Sequence, residues 1–183
     1  MIRSRNSALF DQTEKWLRVI LVLVGVFALL GFVQLVSADS PQISGIGYFN
    51  SLDEECPADG ITAPEGQDLL FAIEMTGDLE GCLYTFVDPD TKETPGGVYI
   101  ERGSELFVGS SKGGADGTFS TTYLYTAKFD ENGQQFGRCQ HPIVAGSGTG
   151  AFEGVRGRLD FKDNVVDGAA VDYPYTGHLN YSG

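Results

Sequence analysis

Two histidines and one isolated glutamate are the side chains in this sequence with proton-transfer chemistry to offer. His141 lies in "GRCQHPIVAG", where it shares strand parity with Cys139 and Ile143. An inward imidazole beside an apolar cavity acts as a general acid or base near neutral pH. The plainer alternative is a histidine at a proline-kinked strand end, satisfied by backbone groups. His178 shares parity with Asp172, Thr176 and Asn180 and faces water. Glu74 sits in "FAIEMT", opposite in parity to Leu69, Phe71, Ile73 and Met75, which turns it toward solvent. Were it inside, burial would raise its pKa and make it a proton donor. Neither a Ser-His-Asp arrangement nor a catalytic carboxylate pair is present. "DPDTKE" lacks a calcium-loop pattern, and no C-x-x-C or Cys/His cluster suggests zinc.

A second candidate is the glycine-rich stretch "GSGTGAFEGVRG". Gly146, Gly148 and Ala151 fit the G-x-G-x-x-G/A spacing of a dinucleotide-binding loop, which requires a helix immediately afterwards. Here Gly154 and Gly157 fall in the first turns of any such helix, at about 1 kcal/mol each against alanine. Leu159 and Phe161 then alternate with Arg158, Asp160 and Lys162. That is a strand, so the glycines are turns and no cofactor is expected.

The aromatic residues supply the third candidate. In "GTFSTTYLYTAKFD", Phe119, Thr121, Tyr123, Tyr125, Ala127 and Phe129 share one face, and a hydroxyl-rich set shares the other. This alternation belongs to an antiparallel sheet wetted on one side. "GCLYTFVD" alternates Cys82, Tyr84 and Phe86 with Leu83, Thr85 and Val87. Tyr84, Phe86, Phe119, Tyr123, Tyr125 and Phe129 then form an aromatic interior, either packed core or the lining of a ligand site.

The elements that must position these residues are strands. After residue 39 helical periodicity is absent, and short period-two runs alternate with Asp, Gly and Pro turns. "QDLLFAIEMTG" is one strand, "GVYIERG" and "SELFVGS" read as a pair joined near Arg102–Ser104, and Pro142 belongs at an edge, a bulge or a strand end. Eight or nine strands with hairpin-length links predict an all-β, eight-stranded antiparallel up-and-down barrel. The first strand and loop fall in residues 39–66 and the barrel in residues 67–183.

The segment "GSGTGAFEGVRGRLDF", with Gly148, Gly150, Phe152, Gly154 and Gly157, resembles the G-x-G-x-F-x-G-x-x-G segment of allene oxide cyclases and the similar segment of the dirigent proteins. "GTFSTTYLYTAKFD" and "GRCQHPIVAGSG" are similar in kind to the strands before it, particularly in bacterial allene-oxide-cyclase-like barrels. The resemblance covers roughly Gly77 to Leu179. It implies an eight-stranded antiparallel barrel with an apolar cavity, cyclase or isomerase activity on a hydrophobic substrate, and a homotrimer as one assembly. It transfers no catalytic residue to a position in this chain.

Residues 1–38 stand apart. A basic flank (Arg3, Arg5, Lys15, Arg18) precedes "VILVLVGVFALLGFV", residues 19–33, an unbroken apolar run. As a helix it extends about 22 Å, the length of a signal h-region, and Val36-Ser37-Ala38 offers a cleavage point. Two readings stand: a cleaved signal peptide, or an uncleaved hydrophobic helix over residues 19–38 that anchors the protein in the membrane. Either exports the remainder.

The whole chain carries 12 Lys+Arg against 25 Asp+Glu. Four of those bases and two of those acids precede residue 39, leaving a formal charge of −15 on the rest. Such a surface repels nucleic acid and anionic headgroups. Three cysteines outside the cytoplasm imply one bridge and one spare thiol. Cys82–Cys139 is the expected pair, since both lie in strand-like segments. Asn180-Tyr181-Ser182 matches a glycosylation acceptor. Three functions fit: a barrel binding a small apolar or aromatic molecule, a cyclase or isomerase, and a filled structural barrel.

Overall fold

Antiparallel pairing between neighbours in sequence closes this chain into a ring of strands. The computed structural model describes residues 42–181. The elements are β1 (Gln42–Asn50), β2 (Asp68–Gly77), β3 (Leu79–Val87), β4 (Lys92–Glu93), β5 (Val98–Ser111), β6 (Asp116–Asp130), β7 (Gly133–Pro142), β8 (Thr149–Gly150), β9 (Val155–Lys162), β10 (Asn164–Val166) and β11 (Ala169–Tyr181). The order β5-β3-β2-β1-β11-β9-β7-β6 is closed by pairing of β5 with β6. Eight staves therefore make an antiparallel barrel, and β4, β8 and β10 are short additions to its rims. Closure leaves no free edge along the staves. The expected signal peptide or anchor, with its apolar helix, lies outside the described residues.

Three expectations are corrected. The barrel begins at Gln42 rather than at residue 67, because β1 pairs with both β2 and β11 and is itself a stave. "GVYIERG" and "SELFVGS" are one continuous strand, β5, aligned with β6 from Val98↔Lys128 to Ser110↔Asp116. Gly103, where a turn was expected, faces inward in mid-strand. A Cβ there would meet the Phe86 carbonyl and come within 2.6 Å of Tyr123 Cε1. The glycine accommodates the ring.

The third correction is the disulfide, which joins Cys56 to Cys82. Cys139 is free. The physical reason is the facing of β3. Leu83 and Thr85 point into the barrel, whereas Cys82, Tyr84 and Phe86 point outward. There they are covered by the β1–β2 loop and packed with Cys56, Ala72, Leu52 and Ile61. The Tyr84 hydroxyl donates to the Pro57 carbonyl at 2.9 Å. Both faces of this strand are buried, so its alternation carries no sign of which face is inside. The bridge pins the loop to the barrel wall.

The barrel interior differs along its length. At one end Phe107 and Phe119 stack at 4.9 Å, and Phe152 meets their edges at 5.5 and 5.1 Å. These three rings are fully buried with Leu79, Leu83 and Val155. Phe152 arrives from the glycine-rich loop, which folds back across this end. Gly150 and Gly154 take φ of 57° and 73°, and tight turn bonds run from Phe152 N–H to Thr149 O and from Val155 N–H to Phe152 O, both at 3.0 Å. Left-handed backbone of this kind favours glycine. The stretch is a capping turn that delivers a phenylalanine plug, and no helix follows it.

Candidate functional site

Moving away from the plug, the paired inward residues of β5 and β6 change character. Phe107↔Phe119 gives way to Glu105↔Thr121, then Gly103↔Tyr123, then Glu101↔Tyr125. Large apolar volume is replaced by carboxylates and phenols, and a cavity of about 270 Å³ remains. Phe49, Phe71, Ile73, Phe161 and Tyr173 form its apolar walls. Phe49 is 58% exposed and marks the mouth.

Glu105 and His141 are the most buried titratable groups lining the cavity, only 3% and 4% exposed. His141 Nδ1 lies 2.5 Å from Glu105 Oε2. The Thr121 hydroxyl donates to the same oxygen at 2.6 Å, and the Thr85 hydroxyl to Oε1 at 3.4 Å. The imidazole is held between rings, with Phe161 at 4.6 Å and Tyr123 at 6.3 Å between centroids. Its Nε2 is buried with no partner. Buried polar nitrogens are usually satisfied. In the neutral ring the Glu105 contact places the proton on Nδ1 and leaves a lone pair on Nε2. A carboxylate-oriented imidazole with a free nitrogen can accept a proton from a bound molecule, or a hydrogen bond from it.

Two further carboxylates flank this pair. Glu101 accepts from the Tyr123 hydroxyl at 2.9 Å and the Tyr99 hydroxyl at 2.6 Å. Burial, reinforced by Glu101, holds the Tyr99 phenol up at about 12; burial and then Glu101 also push Tyr123 up. Asp163 accepts from the Tyr125 hydroxyl at 2.9 Å and from the Gln134 side-chain amide. That amide also donates to the Tyr125 oxygen at 3.2 Å. Burial and then Asp163 raise the Tyr125 phenol. Burial, followed by the charges of Glu105, Asp163 and Glu101, pushes the Cys139 thiol up. The thiol is thereby kept protonated, which removes it as a nucleophile.

The sequence-derived candidates separate along the fold. His141, Tyr123 and Tyr125 line the cavity. Phe119 belongs to the plug. Phe129 stands at the rim, 45% exposed and edge-on to Tyr99 at 6.5 Å. Tyr84 and Phe86 are on the outer wall beneath the loop, so they do not border the cavity. Glu74 pairs with Cys82 and Tyr48 on the outward face of β2, and His178 is exposed on β11.

Cys139 lines the cavity on the parity it shares with His141, while Glu101, Glu105, Asp163 and Gln134 went unrecognised as lining residues. For the two glutamates a signal existed: Glu101, Gly103, Glu105 and Phe107 share one parity once β5 is read as a single strand. A broader depression of about 640 Å³ lies on the outer wall among Thr126, Arg138, Gln140, Asp160 and Lys162. It has none of the interior's buried polar groups.

No family model, curated protein or solved structure matches the chain. The barrel is established by its strand pairing; the likeness to allene oxide cyclases stays an expectation.

Proposed function

We propose that this barrel binds a small molecule with an apolar or aromatic body, held in the cavity opposite the phenylalanine plug, in an extracytoplasmic setting. The observation that carries the reading is the asymmetry of the interior. Phe107, Phe119 and Phe152 fill one half, while the other keeps about 270 Å³ beside a buried, unpartnered His141 Nε2. Small-molecule sites run from about 300 Å³ upward, so a compact ligand suits it. The Cys56–Cys82 bridge supports an oxidising compartment, in keeping with the apolar run at residues 19–33.

A cyclase or isomerase of the allene oxide cyclase kind is the second reading, and the Glu105–His141 pair favours it. His141 Nε2 would shift a proton on the bound molecule, with Glu105 as the positioning residue. Native mass spectrometry of the protein purified from its exporting host tests both. A co-purifying small molecule supports binding, and its conversion on incubation supports catalysis. An unliganded protein that takes up no compound from the host extract would contradict both readings. The same spectrum reads whether three chains assemble, as the resemblance implies.

A further inference from the structure

Binding chemistry at the cavity is decided by which hydrogen-bonding valences remain once the protein has satisfied itself. The side-chain donors are almost all spent. Tyr99 and Tyr123 donate to Glu101, Thr85 and Thr121 donate to Glu105, and Tyr125 and Gln134 donate to Asp163. His141 Nδ1 is committed to Glu105. The Tyr173 hydroxyl and the weakly donating Cys139 thiol are the lining donors that remain. The acceptors are in surplus. Glu105 Oε2 and Asp163 Oδ2 each already accept two bonds, but Glu105 Oε1, both Glu101 oxygens and Asp163 Oδ1 keep lone-pair capacity. His141 Nε2 has no partner at all.

Charge points the same way. Glu101, Glu105 and Asp163 line one cavity, with Glu105 and Asp163 only 3% and 6% exposed. No lysine or arginine among the described residues lines it. The hydroxyl and amide groups bonded to these carboxylates are neutral, as is His141 in the tautomer that carries its proton on Nδ1. Hydroxyl and amide donors satisfy carboxylate geometry without cancelling its charge, and buried charge is costly unless countered. In that His141 tautomer the buried, unpartnered Nε2 is an acceptor, a second and independent sign that the missing component is a donor. Among the described residues, no three His, Cys, Asp or Glu side chains are gathered as a metal would need, and the walls are aromatic. Aromatic faces attract organic cations.

Accepting the binding reading, we infer that the ligand is a small organic cation: an amine, protonated at neutral pH, on a one-ring or short apolar body. Its N–H groups meet Glu101, Asp163 and His141 Nε2, and its body lies against Phe49, Phe71 and Phe161. Anionic molecules are excluded by the same three carboxylates. Among neutral molecules, those without donors leave Nε2 unpaired.

The test is a calorimetric comparison of matched probes on the full-length protein at neutral pH: 2-phenylethylamine, 2-phenylethanol and phenylacetate, with the corresponding short-chain alkyl amine, alcohol and acid. The amines are expected to bind about tenfold or more tighter than the alcohols, the gain of a charge-assisted hydrogen bond over a neutral one. The acids are expected not to bind. Glu101→Gln, at the half-buried rim, should remove most of the amine advantage, weakening amine binding far more than alcohol binding. Equal affinity for amine and alcohol, or preference for the acid, overturns the cationic assignment and leaves the binding reading standing. Failure of every probe at millimolar concentration overturns both.

Discussion

The two ends of the barrel are made by the same staves in the same register, yet one is packed solid and the other is hollow and acidic. On β5 the change from Phe107 to Glu101 takes six residues, roughly 20 Å of strand. Backbone pairing continues unbroken throughout. What differs is the volume and polarity of the inward side chains. An eight-stranded barrel is just wide enough to be filled, so a few large rings close one end and their replacement opens the other. Stability and binding are thereby assigned to different layers of one scaffold.

The largest effect should come from the filled end. Phe119→Ala removes a ring from the plug and is expected to cost about 3–5 kcal/mol in urea denaturation. A loss well under 1 kcal/mol would show that the plug is not the stabilising layer. Next comes the outer clasp. Replacing Cys56 and Cys82 together by alanine should cost about 2–4 kcal/mol, with the strand signature in circular dichroism retained because neither residue is inside the barrel. Loss of the barrel would make the loop part of its core.

The hollow end should respond more weakly in stability. Tyr125→Phe deprives Asp163 of one hydrogen bond and should cost about 1–2 kcal/mol, while changing ligand affinity as Phe119→Ala does not. The last effect appears only in alkaline solution. Tyr99 titrates at about 12 in the folded protein against 10.0 for a free phenol, so the folded state holds its proton longer. Its contribution is complete below pH 10 and is lost as pH rises through 12. Denaturation midpoints should fall over that window and fall less in Tyr99→Phe. Midpoints that rise with pH there would contradict the burial of these phenols.

The contrast also explains what was legible in the sequence. The strand content, the turn role of the glycine-rich stretch and the inward face of β6 were all readable, because hydrophobic alternation and glycine spacing are local signals. The facing of β3 was not, since the β1–β2 loop buries its outer side and leaves both parities apolar. That one inversion misassigned Tyr84, Phe86 and the disulfide together. The acidic lining was hidden for another reason. Glu101 and Glu105 look like solvent-facing residues of two short strands, and only the unbroken β5, with Gly103 beneath Tyr123, turns them inward. Asp163 lies just past β9, where alternation has ended.

The most direct test of the division between the two ends uses the two histidines of the chain, His141 and His178. One is in the cavity and the other is exposed on the outer wall, so ring-nitrogen NMR carries its own control. Adding 2-phenylethylamine should shift the His141 Nε2 signal and leave His178 unchanged. If both signals move alike, or His141 is unaffected at saturating amine, the hollow end is not where the barrel meets its ligand.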